Sequence, residues 1–125
     1  MTPRLTVAPG VDTMQHVYRS GAVYFLQGRV TGLIKIGYSK DPYGRARDIA
    51  AEASEPMTLL KICRNRNRDH ERAAHRYFAH HRQIGEWFRP GADLLDFIAV
   101  ADRARLTPQD ILAGIRVAVA PWGES

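Results

Sequence analysis

Two runs rich in β-branched and aromatic residues, Ala22–Leu26 and Leu33–Tyr38, flank a connection from Gly28 to Gly32. That pattern predicts a β-hairpin. It also constrains what comes next. Tyr24, Lys35 and Tyr38 fall in strands that otherwise read as core. Ser39-Lys40-Asp41-Pro42 follows at once, a turn with Asp41 as helix N-cap and Pro42 at the first helical position. A helix is predicted from about Pro42 to Ala53, carrying Arg45 and Arg47, and Ser54-Glu55-Pro56 ends it because a residue before proline avoids helical backbone. Tyrosine, lysine and arginine side chains are thereby delivered to one rigid place.

Met57–Cys63 reads as a third strand, followed by the polar connection Asn65-Arg66-Asn67-Arg68. Asp69 then caps a second helix to about His81, with Glu71, His75 and Phe78 on one face and His80-His81 at its C-terminus. Ile84-Gly85 turns the chain into Glu86-Trp87-Phe88, which reads as structural, Trp87 and Phe88 closing the core, with Glu86 touching the site as the lesser alternative. A third helix is predicted from about Ala92 to Arg103, and a short fourth one starts at Thr107-Pro108 with Ile111, Leu112 and Ile115 as its apolar side. The order ββαβαα implies an α+β fold, a small three-stranded antiparallel sheet flanked by helices. Residues 1–20 read as a loose N-terminal arm with an extended piece around Val17-Tyr18. Residues 21–104 read as the folded domain, and 105–125 as a short helix and tail.

A chain of 125 residues supports one such domain. It has 18 Lys plus Arg against 13 Asp plus Glu, a formal net charge of +5. Arginine dominates, which favours a two-pronged grip on phosphate or carboxylate. Such a balance fits either a nucleic-acid partner or a solvated basic surface. Arg64, Arg66, Arg68, Arg72 and Arg76 form a basic run whose spacing would let part of it line a phosphate track. No aromatic ladder or recognition-helix pattern accompanies it, so nothing points to sequence-specific base reading. Cys63 is the lone cysteine, which excludes an intrachain disulfide and a cysteine metal knuckle. No apolar run approaches the ~20 residues of a membrane span, and the first ten residues lack a signal-peptide core, so a cytoplasmic protein is expected. His70 and His75 are five apart rather than four, which excludes the zinc-protease helix motif.

Ala22-Val23-Tyr24, then Lys35-Ile36-Gly37, then Arg45 eight positions after that glycine, together with a later helix bearing Glu71, resemble the GIY-YIG nuclease family. Glu71-x-x-x-His75-x-x-Phe78 and Gly85-Glu86-Trp87-Phe88 are similar to a compact phage and bacterial branch of that superfamily, in which the second tripeptide reads KIG. The resemblance covers about residues 22 to 98. It implies a GIY-YIG-like nuclease domain hydrolysing phosphodiester bonds of DNA, with RNA as an open alternative. It implies Mg²⁺ or Mn²⁺ held by Glu71, with Tyr24, Lys35, Arg45, Tyr38 and His75 as catalytic candidates. Arg47, Arg64, Arg66 and Arg68 are the nucleic-acid-binding candidates.

Phosphodiester hydrolysis needs an activated water, neutralisation of the phosphoryl oxygens and help for the leaving oxygen. Arginine forks onto two oxygens as charge builds. The family's second tripeptide usually begins with tyrosine, and this chain has Lys35 there. Lys35 acts as a base of depressed pKa, or stays charged on the phosphate while Tyr38 or a metal-bound hydroxide supplies the base. Lys35 and Tyr38 point to opposite faces of an ideal strand, and a bulge near Gly37 would be needed to bring both in. His75 is a carboxylate-orienting partner, a proton donor to the leaving oxygen, or a core histidine. The rival functions are a catalytically inactive nucleic-acid-binding module on the same scaffold, and a protein-interaction adaptor using the 106–122 tail. With no DNA-reading domain in view, target choice falls to a homodimer, falls to a separate targeting protein, or is absent.

Overall fold

The computed structural model describes residues 3–13, 21–102 and 122. The elements run β1 (Leu5–Val7), β2 (Ala22–Gly28), β3 (Ile34–Ser39), α1 (Pro42–Glu52), β4 (Met57–Arg64) and α2 (Arg68–Tyr77). A single 3-10 turn (Ala79–His81), β5 (Arg82–Ile84), β6 (Trp87–Phe88) and α3 (Ala92–Val100) complete the described chain. The fold is α+β. Its sheet has six strands in the order β1-β4-β2-β3-β6-β5, not the expected three. The central β4-β2-β3 trio is antiparallel, but β1 joins β4 in parallel, so the sheet is mixed.

The three extra strands are two or three residues long, too short to show a periodic pattern, and they sit toward the two sides of the sheet. β1 lies within the predicted loose arm. Met57 donates to Arg4 O, Ala8 donates to Leu59 O, and the Arg4 guanidinium donates to the Ala50 and Ala53 carbonyls at the end of α1. Order there comes from partners more than 40 positions away, which local sequence cannot show. The expected extended piece at Val17-Tyr18 and the fourth helix from Thr107 lie outside the described residues. Among the described residues no helix is long and apolar enough to cross a membrane.

β2 is buried along almost its whole length because both faces are covered. Ala22, Tyr24 and Leu26 pack with Ala46 and Ala50 of α1 on one side. Val23 and Phe25 pack with Ala74 and Phe78 beside α2 and with Leu94 and Phe97 of α3 on the other. The period of two along a strand sorts these side chains into two layers of core. Phe97 meets Phe25 edge-on at 5.9 Å and Phe78 at 5.4 Å.

The hairpin loop is held from outside. The Glu55 carboxylate accepts from the Val30 and Thr31 backbone N–H groups at 2.8 and 2.9 Å and from the Thr31 hydroxyl at 2.9 Å. Burial works to raise its pKa, but these three donors win and hold it below the ordinary value. A lowered carboxyl pKa adds stability that is present above the unfolded-state value and is lost as pH falls through the folded one. Glu55→Ala is expected to cost about 1 kcal/mol, given the solvent-exposed setting of the bonds. Urea denaturation should show that deficit at pH 7 and show it vanishing in acid.

α1 begins as expected, with Asp41 Oδ1 accepting from Gly44 N–H at 3.2 Å. α2 does not start at Asp69. Asn67 is its N-cap, and the usual Glu or Gln of a capping box is replaced by His70, whose Nδ1 lies 3.1 Å from the Asn67 N–H. Nor does α2 reach His81, because the chain tightens into the 3-10 turn after Phe78.

Candidate active site

β6 pairs with β3 only at Ile34 and Lys35, which leaves the far half of β3 uncovered on that side. Side chains from both faces of the sheet meet around this opening. Tyr24 comes from β2, Lys35 from β3, Arg45 from α1, Glu71 from the first turn of α2, and Glu86 from the β5–β6 turn. The β2–β3 register is regular, and Tyr24 stands opposite Gly37.

That glycine explains the tripeptide. A Cβ at Gly37 would stand closer than 3.0 Å to Cζ and Oη of Tyr24. The ring is fully buried and cannot swing clear. Gly37→Ala is therefore expected to destabilise the protein by about 1–3 kcal/mol, visible as a lowered denaturation midpoint, and to displace the tyrosine hydroxyl.

Burial is the main force on Tyr24. It pushes the phenol up to about 12, with Glu86 and Glu71 adding to the rise and the Arg45 charge and hydrogen bond opposing it. Arg45 is exposed on α1 and donates to the Tyr24 oxygen. Lys35 is buried and ion-paired through Nζ to Glu86 Oε2, with the Trp87 ring 5.8 Å away. The Glu86 and Glu71 carboxyls are hydrogen-bonded to each other. Burial first, then the Glu86 charge and that bond, raise Glu71; Arg68 and Lys35 pull the other way. Burial also acts to raise Glu86, but the Lys35 bond and charge outweigh it and leave Glu86 lowered. The two carboxyls are thus pushed in opposite directions, Glu71 up and Glu86 down.

His75 lies one turn beyond Glu71. Its Nε2 donates to Ile36 O at 2.9 Å, Arg82 Nη2 stands 3.5 Å from Nδ1, and the ring meets Phe88 edge-on at 5.0 Å. One ligand atom each from Glu71, His75 and Glu86 lie within 4.8 Å of one another. Two neighbouring carboxyls with an imidazole beside them form a donor set whose chemistry suits a divalent cation such as Mg²⁺ or Mn²⁺.

Tyr38 takes the opposite face of β3. Its ring packs on Gly21, whose lack of a Cβ leaves room for it, and lies 4.7 Å from the Arg68 guanidinium. No bulge interrupts β3 against β2, so Tyr38 and Lys35 do not converge. Arg68 links Tyr38 to the cluster, its Nη1 lying 3.9 Å from Glu71 Oε1. Arg47 stacks on Tyr43 at 5.4 Å and Arg64 is exposed at the end of β4. Arg66 is not on an open track. Asn65 adopts φ +58°, the chain doubles back, and Arg66 is buried with Nη1 donating to Arg64 O at 3.0 Å. Its guanidinium faces the Trp122 ring at 5.4 Å.

Glu86, for which the sequence offered a site role only as the lesser alternative to a structural one, stands beside Glu71. Its place beside Glu71 depends on a six-strand sheet that the short β5 and β6 did not announce. Next to the cluster a groove of about 510 Å³ runs from Arg45 along Asp48 and Glu52 to Met57 and Trp87.

An α+β domain with an arginine, a lysine, a buried tyrosine and a carboxylate pair gathered at one sheet opening is thus the class defined by fold and site. The T5orf172 domain matches residues 21–105, and the chain belongs to that family. No curated protein and no solved structure matches it.

Proposed function

We propose that this chain is a metal-dependent endonuclease that hydrolyses phosphodiester bonds of DNA, on the GIY-YIG plan. The observation that carries the reading is the meeting of Tyr24, Lys35, Arg45, Glu71 and Glu86 from five separate elements. Arg45, exposed and unburdened by packing, offers its fork to the non-bridging oxygens of a phosphate resting at the opening. Tyr24, held as a neutral phenol by burial, hydrogen-bonds the attacking water or the phosphate rather than removing a proton.

Lys35 enters as the cation of an ion pair, which favours charge stabilisation over base chemistry. Its partner Glu86, whose carboxyl the Lys35 bond and charge hold below the ordinary value, offers a proton acceptor. Glu71 and Glu86, with His75 beside them, would hold Mg²⁺ or Mn²⁺, which supplies Lewis-acid polarisation of a phosphoryl oxygen and a more acidic water. His75, anchored to Ile36 O, orients the carboxylates.

Supercoiled plasmid incubated with the protein and Mg²⁺ or Mn²⁺ is expected to become nicked or linear, and a chelator should stop it. The Lys35–Glu86 ion pair standing where the family has tyrosine favours one other reading, a DNA-binding module without turnover. Intact plasmid under every metal, with salt-dependent DNA binding, would select that reading. No DNA affinity at low salt would leave the protein-interaction adaptor.

A further inference from the structure

A second cluster of ligating side chains lies away from this site, where the 3-10 turn meets α3. His80 and His81 are consecutive, and both rings turn toward Asp93 in the first turn of α3. His80 Nε2 lies 2.9 Å from Asp93 Oδ2, and His81 Nε2 lies 2.5 Å from Oδ1. The ring centroids are only 4.1 Å apart. Two imidazole nitrogens and one carboxylate oxygen thus lie within 4.8 Å of one another.

The surroundings fix this convergence. Arg89 donates from Nη2 to His80 O at 3.0 Å and from its backbone N–H to His81 O at 2.8 Å, which clamps the turn. Gly91 leaves open the space that the His81 ring fills, and an added Cβ would stand closer than 3.0 Å to Cε1 and Nε2. Asp93 Oδ1 also accepts from the Leu94 N–H at 2.9 Å, which orients the carboxylate. The His80 side chain is 56% exposed and that of Asp93 44%, so an ion and a water ligand can reach the cluster.

We propose that His80, His81 and Asp93 form a transition-metal site, with Zn²⁺ as the fitting ion. Imidazole nitrogens select Zn²⁺ and its neighbours over Mg²⁺. Three protein ligands plus water complete a tetrahedron. On binding, each Nε2–H bond to Asp93 gives way to Nε2–metal, the ring proton residing on Nδ1 instead. The ion ties the end of the α2 segment to the start of α3, independently of the nuclease reading.

The test is equilibrium dialysis of the full chain against Zn²⁺, with Co²⁺ absorption as a second readout. Glu71→Gln/Glu86→Gln serves as the background that removes the other cluster. One bound Zn²⁺ per chain is expected in that background, in which the histidine and Asp93 variants are also made. Affinity should fall at least about tenfold in His81→Ala and in Asp93→Asn, since loss of a direct ligand costs no less than loss of an outer partner. His80→Ala, whose ring is largely on the surface, should do the same with unchanged circular dichroism. Absence of Zn²⁺ binding in that background at millimolar concentration, or binding retained in full by the histidine variants, overturns the assignment.

Discussion

Glu71→Ala is expected to abolish DNA cleavage, by about a thousandfold or more, while leaving DNA binding largely intact. Two features point to this residue. Its carboxyl is buried, and it stands beside the Glu86 carboxyl and the His75 ring in one donor set. Removal leaves Glu86 paired to Lys35 alone, a net loss of one acidic ligand from the cluster. Stability should move the other way. The raised Glu71 pKa means that the folded state holds its proton more tightly than the unfolded chain, so this residue costs stability as pH rises through and above the unfolded carboxyl value. Glu71→Gln is therefore expected to be inactive yet at least as stable as wild type at neutral pH. Plasmid nicking, filter binding and thermal melts on the same preparation separate these effects. A variant that cuts normally would remove Glu71 from the chemistry.

Arg45→Ala is expected to lower cleavage by about 10²–10³-fold, the range seen when one donor to developing charge is deleted. The side chain is exposed, but it is the hydrogen-bond partner of the buried Tyr24 hydroxyl, so its loss is expected to cost about 1 kcal/mol of folding stability. Arg45→Lys should recover only part of the rate, because an ammonium cannot fork across two oxygens. The Tyr24 phenol offers a second check. Arg45 opposes the rise in its pKa, so the alkaline titration of Tyr24 should move higher still in Arg45→Ala. Ultraviolet difference titration would detect that shift even if no DNA were cut.

The hairpin and α1 were legible because their signals are local. Alternating apolar residues, a Gly-bounded connection and Asp41-Pro42 all act within a few positions, and the observed strands and helix start follow them closely. The α2 cap was misplaced because Asn67 and His70 form a capping box with an imidazole, a pairing outside the usual residue types. β1, β5 and β6 were invisible because two or three residues carry no period, and distant partners decide whether they pair. Tyr24, Lys35, Arg45, Glu71 and His75 were singled out as candidates, and the fold gathers them around one opening. Glu86 stood out less than these, because its position depends on the pairing of the two-residue β6. Arg66 reads as part of a surface track because Arg64, Arg66 and Arg68 alternate in a polar connection, whereas Asn65 adopts left-handed backbone and Arg66 is buried.

The Lys35–Glu86 pair joins positions 51 apart, and nothing shorter than the span from Tyr24 to Glu86 holds the whole cluster. A nascent or clipped chain that has formed the early hairpin and first helix still lacks both acidic groups. On the proposed reading, cutting capacity therefore arrives late, with the closing pair of strands, and a chain that stops before them lacks it.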